Sequence, residues 1–260
     1  NGSLFQASDG MLYGLTEGGG SNSSGVLFQF NPITNTYTKK LDFNTGTVVG
    51  KYPKGTLMQA TDGMLYGMYS GVPSTPYTSG MFQYNPINNN YVVKCTLGES
   101  PNGELLEATD GKLYGMTAGN ATTDAGSIFK YDPVTSTCVN SYTFSTLNTL
   151  IQNGYNPQGS LIQATDGNFY GMTRNSVIFQ FNPITNVYTK KMDFVVNLGH
   201  PVGTFMQASD GKLYAMNSGQ LFKYDISNST YSVKFTFEEA LLGKEPLGSL
   251  FKASDGKLYG

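Results

Sequence analysis

The stretch "ATDGKLYGM", Ala108–Met116, recurs six times with small changes in a chain of 260 residues. Its Asp-Gly pair stands at Asp9-Gly10, Asp62-Gly63, Asp110-Gly111, Asp166-Gly167, Asp210-Gly211 and Asp255-Gly256, at intervals of 44–56 residues. Each copy reads Gly-(Ser/Thr/Glu)-(Leu/Phe)-x-(Gln/Glu/Lys)-Ala-(Ser/Thr)-Asp-Gly-x-(Leu/Phe)-Tyr. Asp-Gly between two apolar segments is a strong hairpin signal, because a two-residue type I′ turn needs positive φ at both central positions. The pattern predicts a strand A over Ser3–Ala7 and a strand B over Met11–Leu15, with equivalents five more times. The Tyr of strand B recurs in every copy, so it reads as a packing residue buried between repeats.

A second module follows in five of the six copies. It is "VLFQFNPITNTYTKKLDF" at 26–43 and "VIFQFNPITNVYTKKMDF" at 177–194, with the others starting at Gly80, Ser127 and Gln220. Leu27–Phe30 reads as strand C and Tyr37–Phe43 as strand D. Asn31-Pro32-Ile33-Thr34-Asn35 between them is turn chemistry: Pro presets φ, and Asn tolerates the left-handed region. Four short antiparallel strands in each repeat describe a propeller blade. No segment keeps a 3.6-residue period over a helix length, which excludes helical solenoids.

The expected fold is therefore all-β, a propeller of four-stranded antiparallel blades. Six A–B hairpins against five C–D hairpins give six blades with the sixth incomplete, or five blades and an extra hairpin. The repeats run over about 2–54, 55–102, 103–158, 159–202, 203–247 and 248–260, a single domain read as part of a longer chain.

Tyr131-Asp132-Pro133-Val134-Thr135, followed by an aromatic-bearing strand, resembles the corresponding segment of Kelch repeats, with Tyr in place of Trp. The whole pattern, from "GSLFQASDGMLYG" at 2–14 through "FQFNPITNTY" at 28–37, is similar to the GloVer tandem-repeat family of bacterial secreted and surface proteins. That resemblance implies an exported or surface-held protein and attaches no catalytic residues to the repeat.

Alternating strands put the A–B and C–D turns at one end of each blade, nearly uniform from copy to copy except at Asp225-Ile226. The B–C and D–A connections at the other end vary in length. Function on a rigid scaffold gathers on such loops. Thr16–Gly25, Tyr69–Ser79 and Thr117–Gly126 are long B–C connections, and Ser145–Gln158 is the longest D–A connection. Tyr69, Tyr77 and Tyr155 there are the candidate ligand-binding residues, since a phenol offers a flat apolar face to a sugar or peptide.

Residues for chemistry are sparse. A single histidine, His200, reads as a solvated loop residue. A hydrolytic carboxylate pair needs a set spacing, but the polar position of strand A reads Gln6, Gln59, Glu107, Gln163, Gln207 and Lys252, more a hydrogen-bonded ring than an acid–base pair. Glu238 and Glu239 read as solvated loop residues. Turn aspartates on separate blades do not converge as calcium requires, and Gly18-Gly19-Gly20 opens no helix for a phosphate. No catalytic residue, metal or cofactor is assigned. Cys95 and Cys138 fall on outer strands of neighbouring repeats, expected to lie too far apart to bridge. The sequons at Asn1, Asn22, Asn120 and Asn228 read as chance in so Asn-rich a chain.

A net charge of −2 without a basic run excludes a phosphate-neutralising surface, so nucleic acid is not an expected partner. No apolar run is long enough for membrane insertion. Three functions remain: a non-enzymatic extracellular or cell-surface module for adhesion, display or spacing, a carbohydrate-binding module, or, weakest, an exported hydrolase or lyase. A glycan or surface protein, or other domains of the same polypeptide, would be the partner.

Overall fold

The structure is a computed structural model that describes residues 2–46, 48–71, 79–119, 125–145, 153–193, 200–237, 246 and 248–260. The described elements named below are all strands, joined by turns. Repeat 1 contains β1 (Phe5–Gln6), β2 (Leu12–Thr16), β3 (Val26–Asn31) and β4 (Thr36–Asp42). Repeat 2 contains β5 (Pro53–Gln59), β6 (Leu65–Tyr69), β7 (Ser79–Tyr84) and β8 (Tyr91–Leu97). Repeat 3 follows with β9 (Ser100–Glu107), β10 (Leu113–Ala118), β11 (Gly126–Asp132) and β12 (Thr137–Thr143). Repeat 4 has β13 (Pro157–Gln163), β14 (Phe169–Thr173), β15 (Val177–Asn182) and β16 (Val187–Asp193). Repeat 5 has β17 (Pro201–Gln207), β18 (Leu213–Asn217), β19 (Gln220–Asp225) and β20 (Thr230–Thr236), and the sixth copy has β21 (Phe251–Lys252) and β22 (Leu258–Tyr259). Each of the first five is a four-stranded antiparallel meander in chain order, and β21 pairs only with β22.

The strands fold into two compact units, Asn1–Thr117 with Ile128–Asn140, and Ala118–Ser127 with Ser141–Gly260. In the first, Tyr66, Met68, Leu105, Phe129 and Tyr131 share one buried cluster. In the second, Tyr170, Ile178, Phe205, Phe222 and Tyr224 do the same.

The Asp-Gly turn differs from expectation. All six are three-residue hairpins: Gly10 N–H donates to Ala7 O and Ala7 N–H to Met11 O, and the same two bonds recur at Ala60, Ala108, Ala164, Ala208 and Ala253. Only the glycine takes positive φ, from +73 to +80°. This is a type I turn closed by a left-handed residue, which accepts the same Asp-Gly pair as the two-residue form. The aspartate has other work. Asp9 Oδ1 accepts from Met11 N–H and Oδ2 from the Tyr13 hydroxyl, and every other copy repeats both bonds.

The C–D turns follow the sequence reading. Asn31 Oδ1 caps Ile33 N–H and Thr34 N–H, while Asn35 sits at φ 53°. Asn85, Asp132 and Asn182 make the same cap, with Asn89, Ser136 and Asn186 left-handed.

Neighbouring repeats are stapled by the repeated polar residue of strand A. Gln59 Oε1 accepts from Ser8 N–H of the preceding hairpin, while its Nε2 donates to Gly63 O of its own. Gln207 does this between Thr165 and Gly211. Glu107 accepts from both the amide and the hydroxyl of Thr61. Within each unit, the first strands of neighbouring repeats touch backbone to backbone at the repeated glycine: a Cβ on Gly159 would lie 2.0 Å from Gly203 O.

Cys95 and Cys138 form a disulfide, contrary to the separation expected of them. Cys95 faces inward from β8 into the buried cluster between repeats 2 and 3, and Cys138 of β12 packs onto that same cluster. Sheets packed face to face bring opposing side chains together even on outer strands, and here the Cα atoms stand 5.7 Å apart. The repeated Tyr is buried in four copies (Tyr13, Tyr66, Tyr114, Tyr170), half-buried at Tyr214 and exposed at Tyr259.

Candidate functional site

At the connection end, the described residues of the first repeat are joined by several side-chain bonds. The B–C connection of repeat 1 turns through Gly18-Gly19-Gly20 and is tied down by its own polar side chains. Ser21 donates to Asp42 through both N–H and hydroxyl, Thr16 Oγ1 accepts from Val26 N–H, and Lys54 pairs with Glu17. Lys39, ahead of the Ser21 contacts, holds the Asp42 carboxyl below its usual range. The Tyr91 hydroxyl reaches Val49 O and pins the next connection.

The connections return to strand A by a repeated device. The residue before the strand's opening proline accepts, through its carbonyl, from the residue just after strand B: Ser70 N–H to Tyr52 O, Arg174 N–H to Asn156 O, Ser218 N–H to His200 O. Proline at the first strand position costs no ladder bond. His200 is exposed, with Nδ1 2.7 Å from Arg174 O.

The three candidate tyrosines fare differently. Tyr69 is the last residue of β6 rather than a loop residue, and it is only 2% exposed. Its ring fills the space left by two glycines: a Cβ on Gly50 would stand 2.8 Å from the ring and one on Gly80 2.5 Å from the hydroxyl. Burial pushes its pKa up. No ring face is left for stacking a ligand. Tyr155 is half-buried at the connection end of repeat 4, its N–H bonded to Asn175 Oδ1. Tyr77 lies outside the described residues, as do Leu147, Leu150, Ile151, Glu238 and Glu239.

Sequence reading missed a hydroxyl-rich cluster between repeats 2 and 3. Ser79 donates to Leu97 O and Glu99 O, Ser70 and Ser100 are 2.8 Å apart, and Thr117 donates to Glu99. Ser79 and Thr117 are buried, so these bonds replace the water they have lost. Nothing in the repeat pattern marks them as a cluster, because Thr117 has Thr16 and Thr173 as equivalents and Ser79 has Ser176, while the partner Glu99 stands in a connection of its own.

The hairpin end carries a cleft of about 420 Å³ lined by Ser8, Asp9, Gln59, Asp62, Met64 and Ile87, among others. Its carboxylates and its amide are already committed. Both oxygens of Asp9 and Asp62 accept bonds within their own hairpins, and Gln59 is the inter-repeat staple. Burial first, and then the Asp partner, lift the phenols of Tyr13 and Tyr66 well above their ordinary range. Such groups hold a hairpin closed; they are not poised to move a proton at neutral pH. Among the described residues no three His, Cys, Asp or Glu side chains gather to hold a metal ion.

With that geometry in view, the Gloeobacter/Verrucomicrobia repeat matches residues 1–176 and again 91–260. The chain belongs to this repeat family. No curated protein matches it. Among solved structures it is similar to the extracellular domain of a hybrid two-component system from B. thetaiotaomicron, with a TM-score of 0.63 and 16% identity. That match covers 90% of this chain and 30% of the other. A second hybrid two-component system of that organism gives 0.62 and 14%, covering 98% of this chain and 31% of its own extracellular domain. This chain thus spans under a third of the structures it matches, and the likeness is one of propeller-like β fold.

Proposed function

We propose that the six repeats are blades of one β-propeller, the sixth incomplete within residues 1–260, and that the protein works outside the cytoplasm without catalysis. Its role would be adhesion, surface display or spacing. The observation that carries this reading is the Cys95–Cys138 disulfide, which ties the outer strands of two neighbouring repeats. Disulfides of this structural kind persist in oxidising compartments and are rare in the cytosol. The extracellular origin of the similar domains points the same way. The committed state of the hairpin-end carboxylates supports a scaffold over a reaction centre.

The test is a thiol count on protein drawn from its native host with free thiols trapped by alkylation. No free thiol is expected. Both thiols reduced would place the protein in a reducing compartment and overturn the reading.

A carbohydrate-binding role is the second reading, favoured by half-buried Tyr155 at the variable end. On a glycan array, binding that Tyr155→Ala weakens would promote it, and binding indifferent to that change would remove its one placed residue.

A further inference from the structure

Strand D of one repeat meets strand D of the next at a corresponding pair of positions. With the C–D segments aligned on their turns, Cys95 and Tyr142 occupy equivalent places near the end of the strand. Cys138 and Tyr188 occupy equivalent places near its start. Cys95 of repeat 2 is bonded to Cys138 of repeat 3, and Tyr142 of repeat 3 stacks on Tyr188 of repeat 4. Each contact lies within one compact unit. One junction thus holds a covalent staple, and the next holds two phenols in the same place.

The geometry of this tyrosine pair suits bond formation. Its rings are parallel to within 3°, with centroids 4.3 Å apart. Tyr66 with Tyr131 and Tyr170 with Tyr224 stand 6.3 Å apart, tilted by 50° and 49°, and are buried. Tyr142 and Tyr188 are half-buried, so solvent reaches the pair. Phe144 meets both rings edge-on, Phe179 stacks on Tyr188, and the Tyr188 hydroxyl donates to Asn153 O. The two rings are therefore held face to face before any reaction, which removes much of the entropic cost of bringing them together. Phenoxyl radicals join through ring carbons, and the new bond forms from p orbitals perpendicular to the ring planes. Parallel rings in contact point those orbitals at one another.

We propose that Tyr142 and Tyr188 are a site of oxidative modification, a dityrosine cross-link between repeats 3 and 4 that matches the disulfide between repeats 2 and 3. The oxidant is a one-electron acceptor of the class that a haem peroxidase makes from hydrogen peroxide. Each phenol loses one electron and its hydroxyl proton. The two radicals form a carbon–carbon bond ortho to their oxygens, the two ring hydrogens leave as protons, and both oxygens are protonated again. Two electrons and two protons depart in all, and one hydrogen peroxide takes them up to become two waters. Burial raises both phenols, so each proton leaves with its electron and not ahead of it. The site depends on the extracytoplasmic reading only for the supply of oxidant, which the experiment provides directly.

Dilute parent protein is treated with hydrogen peroxide and a haem peroxidase. The monomer is then read for dityrosine fluorescence, for linked peptides by mass spectrometry, and for melting temperature in reducing agent. A link between Tyr142 and Tyr188 is expected, with the loss of two hydrogens in mass and a higher melting temperature than that of untreated protein. Tyr142→Phe and Tyr188→Phe, which keep the stacked rings, should each lose both the link and the gain. A folded monomer that stays unlinked, or that links other tyrosines while this pair stays intact, overturns the proposal. Cross-linked dimers in place of the internal link overturn it as well. A link that forms without raising the melting temperature would overturn its role as a staple.

Discussion

The two ends of each repeat use similar polar residues to opposite effect. At the hairpin end, Asp9, Tyr13 and Gln59 bond one another's turns, and the set recurs with few changes along the chain. At the connection end, Ser21 with Asp42, Ser79 with Glu99 and Tyr155 with Asn175 each tie down a single connection, beside the one backbone bond that three repeats share. Repetition therefore marks residues consumed by assembly, and departure from the repeat marks the places where a repeat is free to be different. That is why the turn aspartates, the most conspicuous acids in the sequence, are poor candidates for chemistry.

The contrast can be broken most completely with alkali. The strand B phenols of Tyr13, Tyr66, Tyr114 and Tyr170 are raised above the ordinary value of 10.0, by burial first and then by the turn aspartate. A pKa raised on folding contributes stability that is full below pH 10 and is lost as pH climbs toward the folded value. The fold is expected to collapse above pH 10, with phenolate absorbance of the buried class rising together with loss of the β-sheet circular dichroism. Ionisation of all 18 tyrosines near pH 10 with the fold intact would contradict it.

Tyr66→Ala comes next. Truncating a fully buried aromatic costs about 3–5 kcal/mol, read by denaturant unfolding. Tyr66→Phe keeps the ring and loses the bond it donates to Asp62 and the one it accepts from Gln83, for about 2 kcal/mol. Exposed Tyr259→Ala should cost far less than Tyr66→Ala, and equal losses would show that position in the repeat, not burial, sets the effect.

Replacing both cysteines by serine opens a loop of 43 residues and should lower stability by up to about 4 kcal/mol on the chain-entropy account. Reducing agent should lower the melting temperature of the parent and leave that of the double variant unchanged.

Gly111→Val separates backbone from packing. Gly111 has φ +73° and open space around its Cβ position, so the cost, about 1–2 kcal/mol, is that of a left-handed β-branched residue alone. Gly111→Asn, which tolerates that region, should recover most of it.

Much of this was legible in the residues. The strand order and the C–D turn caps follow from composition and spacing, and the repeated polar position of strand A marks the residues that staple neighbouring repeats. The turn class did not, because Asp-Gly serves both two- and three-residue hairpins, and the choice depends on whether the residue before Asp pairs or joins the loop. Tyr69 read as the start of a B–C connection; what buries it are Gly50 of the preceding D–A connection and Gly80 of β7, which make room for its ring. The disulfide was hidden because outer strands were expected to diverge, and only face-to-face packing of two sheets shows that Cys95 and Cys138 share a cluster. Tertiary proximity between unlike positions is what a single repeat pattern omits.

The central claim is that the repeated residues are the joints between repeats, and amide hydrogen exchange tests it most directly. Thr165 N–H is exposed in a turn, yet it donates to Gln207 Oε1 of the next repeat at 3.0 Å. In the parent protein that amide should exchange slowly for a turn residue, and Gln207→Leu should speed it by about fivefold or more, the equivalent of one hydrogen bond. Residues 17–25 should keep their parent rates. Exchange at Thr165 unchanged by Gln207→Leu would mean that the repeat is held together by something other than what it repeats.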